Sequence, residues 1–180
     1  CDNTLWGGII GEDGIKGIIL GQDGIGSAYV DFQKEIVRHA NDGVIIVLAS
    51  KNNDKDVWEV FDQHSGMYLK RDNVVTSKIN WNEKAFNLKE VARELDLGLD
   101  SFVFWDDNPL ERDKMKTLLP EVLTVDVPND IVQWPRLLRT INCFAKFKIT
   151  EDDRKKSSQY KSRAKFISDL KGVEDIKNYL

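Results

Sequence analysis

The chain has 180 residues, of which 41% are apolar and 31% charged, with a formal net charge of -4. This length supports one domain with its own hydrophobic core, and the acidic balance argues against a nucleic acid partner. No apolar run approaches the ~20 residues of a membrane span, no basic-then-apolar leader opens the chain, and the two cysteines, Cys1 and Cys143, are too few for a disulfide framework, so reduced thiols and a cytoplasmic setting are expected.

After the acidic opening Cys1-Asp2-Asn3-Thr4, residues 5–26 carry eight glycines, with short pairs such as Ile9-Ile10 and Ile18-Ile19 between them. That composition predicts a small hairpin with tight turns, placed as a flap over whatever the acidic turn does. From Tyr29 to Asn41, apolar residues at Phe32, Ile36, Val37 and Ala40 fall at helical spacing. The continuous apolar run Val44 to Ala49 reads as a strand buried on both faces. A helix is expected from Asp54, a strand over Val74 to Ile79, and a helix capped by Asn80 or Asn82 with Ala85, Leu88, Val91, Ala92 and Leu95 on one face. A strand over Ser101 to Trp105 closes on Asp106-Asp107, a helix over Glu111 to Leu119 stops at Pro120, and Val122 to Val127 reads as a further strand. A helix with a connector is expected over Asn129 to Phe147, and Cys143 in its apolar setting is expected as a buried, inert thiol. Thr150 and Asp153 form a capping box for a C-terminal helix leaving the core, whose basic run from Arg154 is first a solvated face. His39 and His64 are expected on the surface or at helix ends, and Trp58, Trp105 and Trp134 in packing roles. Trp6 and Trp81 are expected in the core or at the pocket. The alternation of strands and helices gives an α/β fold with a parallel sheet. Its expected organisation is a core over residues 1–148 and a helical extension over 149–180.

Four features sit at or beyond the C-terminal ends of predicted strands, the edge where ligands bind in open parallel sheets. They are Asp2 with Thr4, Ser50 with Lys51 and Asn52, Lys84, and Asp106-Asp107-Asn108-Pro109. Singly, most have plain readings as a turn acid, a strand-closing serine and a solvated lysine. Two adjacent acids after an apolar strand repel each other, and a bound cation relieves that repulsion. Together they match the needs of phosphoryl transfer: carboxylates for Mg²⁺, a hydroxyl and an ammonium for phosphoryl oxygens, and an acid to exchange a proton.

The strings Cys1-Asp2-Asn3-Thr4-Leu5-Trp6-Gly7-Gly8, Ser50-Lys51-Asn52-Asn53, Asn80-Trp81-Asn82-Glu83-Lys84, Asp106 to Arg112 and Thr150 to Arg154 cover most of the chain. In this order they resemble the haloacid dehalogenase (HAD) superfamily, and within it the FkbH-like glyceryl transferase/phosphatases. The resemblance implies a HAD-like Rossmannoid sheet flanked by helices, with a flap and no large cap domain. It implies Asp2 as general acid/base whose backbone carbonyl reaches Mg²⁺, and Asp106 and Asp107 as metal-holding acids. Ser50, Lys84 and Asn52 would bind phosphate, and Thr4, Asn108 and Arg112 would support the site. Such enzymes dephosphorylate 1,3-bisphosphoglycerate and pass the glyceryl group through an enzyme cysteine to an acyl carrier protein, with Cys1 as the candidate thiol. The alternatives are a phosphatase for another small phosphometabolite and a non-catalytic HAD-like binding module. The family pattern places its nucleophilic aspartate immediately before Cys1, at the end of a central strand. That strand is therefore expected upstream, and the sequence as written is not expected to form a phospho-aspartate.

Overall fold

The computed structural model describes residues 1–144 and 150–178, with side chains of the last helix described for Asp152 and for 155–170. Helices α1 (Ile10–Gly17) and α2 (Gly24–Asn41) precede β1 (Ile46–Ser50), α3 (Asp54–Gln63) follows it, and β2 (Val74–Ile79) precedes α4 (Lys84–Leu95). Then come β3 (Val103–Phe104), α5 (Pro109–Leu118), β4 (Leu123–Thr124), α6 (Trp134–Arg139) and α7 (Glu151–Asn178). The fold is α/β, with short parallel strands flanked by helices and no large cap among the described residues.

The parallel strands form two pairs rather than one continuous sheet. β1 pairs with β2 from Ile46↔Val74 to Ser50↔Ile79, and β3 pairs with β4 through Val103↔Leu123 and Phe104↔Thr124. Between β1 and β3 lies a small cavity of about 120 Å³, lined by Val47, Leu48, Phe32 and Trp105. β3 and β4 are shorter than the apolar runs that predicted them, because each finds a pairing partner over two residues only.

Three apolar clusters hold the elements together. The largest joins Trp6, Phe32, Val57, Val60, Leu69 and Trp134, and a second sits under α5 around Met115 and Leu119. The third packs Val75, Val91 and Leu95 against Tyr160 and Ala164 of α7, so this helix lies on β2 and α4 over that stretch. Each fully buried side chain of this size stabilises by about 1.5–3 kcal/mol.

Four local expectations are corrected. The glycine-rich excursion has a hairpin neck, with Gly7 and Ile19 exchanging backbone bonds of 3.0 and 2.7 Å, but its tip is helical. There the Asp13 carboxylate accepts from Ile9 N at 2.7 Å, and a break at Gly14 (φ 63°) divides the helix. Neither Asn80 nor Asn82 caps α4. Asn80 instead exchanges amide bonds of 3.3 and 2.9 Å with Asn87, and extended Glu83 precedes the helix. Cys143 is exposed, because Ile141 and Phe144 take the inward positions on that turn. His39 is buried, its ring 5.1 Å from Phe144 and its Nε2 3.6 Å from Glu35. Burial and the neighbouring Arg38 push its pKa down. His64 accepts from Gly66 N at 3.1 Å, a turn-closing role as expected. The Thr150–Asp153 capping box involves a side chain outside the described residues, as do residues 145–149 of the expected connector.

Candidate active site

The opening turn is built by the Cys1 carbonyl, which accepts from Thr4 N at 3.0 Å and Leu5 N at 2.7 Å. Asn3 at its corner is left-handed (φ 51°), a conformation that asparagine tolerates, and its side chain accepts from Gly8 N at 2.9 Å. The turn fixes Asp2 through three donors. Oδ1 takes the indole N–H of fully buried Trp6 at 3.0 Å and Ile10 N at 3.2 Å, and Oδ2 takes the Asn52 amide at 2.9 Å. Trp6 is therefore a core residue that also orients this carboxylate. Gln33, fully buried on α2, ties the turn to the next loop, donating to the Leu5 carbonyl at 2.7 Å and accepting from Tyr68 N and Leu69 N.

Ser50 closes β1 and is buried, its hydroxyl accepting from the Cys1 amino group at 3.0 Å and from Asn52 at 3.5 Å. Lys84, the first residue of α4, donates to Asp106 Oδ2 at 2.5 Å, and Asp106 Oδ1 accepts from Asn108 N at 3.0 Å. Asn108 caps α5 by accepting from Leu110 N at 2.9 Å. Arg112 donates to the carbonyls of Asp106 and Asp107 at 2.8 and 2.7 Å, which clamps the loop from below.

Asp107 is placed differently. Its Oδ1 accepts from Thr4 at 2.8 Å, which joins the loop after β3 to the opening turn, and no other side chain donates to this carboxylate among the described residues. Burial pushes the Asp107 carboxyl up, the Thr4 bond works against this, and Asp106 beside it raises it further. A half-buried acid with one side-chain donor and a second acid next door fits a divalent cation.

All the expected site residues therefore lie in one neighbourhood. Asn52 joins Asp2 to Ser50, Cys1 meets Ser50, Lys84 holds Asp106, and Thr4 reaches Asp107. The three acids do not converge as a triple. Among the described residues no group of three or more His, Cys, Asp or Glu side chains is gathered to hold a metal. The Asp2 carboxylate is turned into its own loop by Trp6, Ile10 and Asn52, and Asp106 is taken by Lys84 and Asn108.

At the rim, Lys51 bridges Glu83 at 3.1 Å and Glu111 at 3.0 Å. Burial works against its charge, but Glu111 and Glu83 outweigh it and raise its pKa. Trp81 is 70% exposed and stands outside the pocket, its N–H on Asn53. Sequence reasoning missed Tyr29. Its ring lies against Gly7, and it lines a cavity of about 360 Å³ with Asp107, Asn3 and Trp134. Burial and then Asp107 raise its pKa. The available signal was its place one helical turn before Gln33, on the buried face of α2.

No protein-family model and no curated protein matches the chain. A solved structure does: the N-terminal part of the protein BF1531 from Bacteroides fragilis, containing a phosphatase domain and complexed with Mg, is 39% identical with a TM-score of 0.77. The match covers 81% of this chain and 39% of that one, so the chain spans about two fifths of its neighbour's length. Sequence identity at this level over four fifths of the chain, together with the strand-end position of Ser50 and the Asp106-Asp107 pair, gives this chain the HAD-like fold of a phosphatase domain.

Proposed function

We propose that this domain belongs to a Mg²⁺-dependent HAD phosphotransferase of the FkbH type. It would dephosphorylate 1,3-bisphosphoglycerate and pass the glyceryl group through Cys1 to an acyl carrier protein. The observation that carries the reading is the hydrogen-bonded network at the ends of β1 and β3, in which Asn52 links Asp2 to Ser50, Thr4 bonds Asp107 and Lys84 pairs with Asp106. The Mg in the neighbouring phosphatase structure supports the choice of ion.

In this reading Asp107, through its carboxylate, and the backbone carbonyl of Asp2 hold Mg²⁺, with Asp106 beside them as the acid that keeps Lys84 in place. When bound, the ion neutralises phosphoryl oxygens and aligns them. The Ser50 hydroxyl and the Lys84 ammonium bind the same oxygens, so that charge redistributed during transfer meets fixed donors. Asp2, fixed by three donors, gives a proton to the leaving oxygen and later takes one from water. Cys1, half-buried beside Ser50, is the acyl-carrying thiol.

The proposal keeps an apolar strand ahead of Cys1 that delivers the nucleophilic aspartate, and the division of the strands into two separate pairs supports it. It also keeps α7 as an extension to the core and a cytoplasmic setting. No helix among the described residues is long and apolar enough to cross a membrane.

Protein that carries the aspartate ahead of Cys1, incubated with Mg²⁺ and 1,3-bisphosphoglycerate and then weighed, tests the reading. Phosphate release together with a glyceryl adduct that disappears in Cys1→Ser is the expected result. Phosphate release without an adduct makes the domain a phosphatase for another small metabolite. Neither product makes it a binding module.

A further inference from the structure

The cavity beside Asp107 has features that the phosphoryl-binding residues do not explain. At about 360 Å³ it has the size of a small-molecule subsite. Tyr29 is 9% exposed, yet its hydroxyl makes no hydrogen bond among the described residues although it lines this space. That hydroxyl opens on the cavity rather than being sealed from it, and it is free to bond a polar atom of an occupant. Asn3 uses its carbonyl oxygen on Gly8 N, which leaves its NH₂ for the cavity, and Asn129 adds a second amide at the mouth.

Charge narrows the occupant. The lining includes Asp107 and Asp130 and no lysine, arginine or histidine, while Ile131 and Trp134 supply an apolar wall. Asp130 is engaged as a turn cap, accepting from Val132 N at 3.1 Å, and remains an acid on this wall. With the Mg²⁺ at Asp107 committed to the transferred phosphoryl group, a second phosphate or carboxylate placed here would face Asp130 with no side-chain cation in the lining to offset it.

We infer that this cavity is the leaving-group subsite and takes an uncharged, hydroxylated group of a few carbons, recognised by the Tyr29 hydroxyl and the Asn3 amide. The inference rests on the reading of Asp107 as the metal-holding edge of the phosphoryl site, and it specifies which end of the substrate lies where. A substrate with a second phosphate, 1,3-bisphosphoglycerate included, has to direct that phosphate out of this cavity.

Calorimetric titration of the chain with Mg²⁺ tests this without turnover, using methyl phosphate, glycerol 3-phosphate and 2,3-bisphosphoglycerate as probes. Glycerol 3-phosphate should bind about tenfold more tightly than methyl phosphate, the worth of one or two well-placed hydrogen bonds. Tyr29→Phe should bring that ratio down to about one or two. 2,3-Bisphosphoglycerate should bind no more tightly than glycerol 3-phosphate. Ile25→Lys, on the exposed rim of the cavity, should reverse that order by adding the missing cation. Methyl phosphate binding with no gain from the glycerol hydroxyls, or a ratio untouched by Tyr29→Phe, overturns the subsite and leaves the phosphoryl site standing. Absence of methyl phosphate binding overturns both.

Discussion

A buried acid and a half-buried one in this molecule have opposite settings. Glu35, on the helix face of the core, is 3% exposed and receives Arg38 at 2.6 Å and Arg139 at 2.7 Å. Burial pushes its carboxyl up, but the Arg139 and Arg38 bonds more than reverse this and leave it below the usual range. Asp107, at the strand-end edge, has one hydroxyl bond, an acid for a neighbour and a raised pKa caused first by burial. The chain contains arginines enough to pair an acid when pairing is the purpose. The carboxylate left underpartnered lines the cavity at the strand ends with Tyr29 and Asn3, and the fully paired one sits where only packing is at stake.

The largest effect expected from breaking this contrast is at Asp2. Asp2→Asn keeps the side chain's size but removes proton exchange, and phosphate release by protein carrying the upstream aspartate should fall about 10²–10⁴-fold. A steady-state assay giving a loss under tenfold would reduce Asp2 to a builder of its turn. Next comes the cation. Mg²⁺ at about a hundred times its Kd should stabilise the fold by about 2.7 kcal/mol, and Asp107→Asn should abolish that gain in thermal melts run with and without chelator. Without the ion, the folded state holds the Asp107 proton more tightly than the unfolded chain does. Its contribution is therefore full below the ordinary carboxylate pKa and is lost as pH rises through the raised folded value, a fall that Asp107→Asn should remove.

Glu35 should show the opposite slope. Its folded pKa is lowered, so its contribution is present above the ordinary glutamate value and is lost as pH falls through the depressed one. Glu35→Gln should cost about 1–2 kcal/mol at neutral pH, a figure held down because both arginines are half-exposed. Urea melts should show wild type and variant converging at acid pH, with methyl phosphate binding unaltered throughout. The smallest effect belongs to the rim: Lys114 and Glu83 are 48% and 37% exposed, and Lys114→Ala should change stability by less than about 0.5 kcal/mol.

Much of this contrast was legible before any coordinates. β2 runs from Val74 to Ile79 as its apolar run predicts, and Ser50 and Asp106 stand at strand ends because apolar strands stop where polar loop residues begin. Which acid does what was not legible. The Lys84–Asp106 bond crosses 22 positions, and the Thr4–Asp107 bond crosses 103. No spacing rule tells two adjacent aspartates apart when the difference lies in which one meets the ammonium. The helix in the glycine-rich excursion was hidden for a different reason. Glycine predicts turns through its backbone freedom, but α1 is held by one carboxylate, Asp13, bonded to the backbone at its start. His39 escaped because its surface role was assumed from residue type, although it lies seven positions after Phe32 on the apolar face; the partners that bury it, Phe144 and Glu35, come from another element and from the turn before it.

The bare Cα at position 7 gauges how far the phenol beside it can lean. A methyl built there would come within 3.0 Å of the Tyr29 ring and 3.1 Å of the Ile19 side chain. The ring would have to shift, and it lines the Asp107 chamber. A single carbon at residue 7 would thus reshape that chamber without adding or removing a charge. The proposed subsite would then have its size set from the neck of the glycine-rich excursion and its charge set separately by the acids at the strand ends.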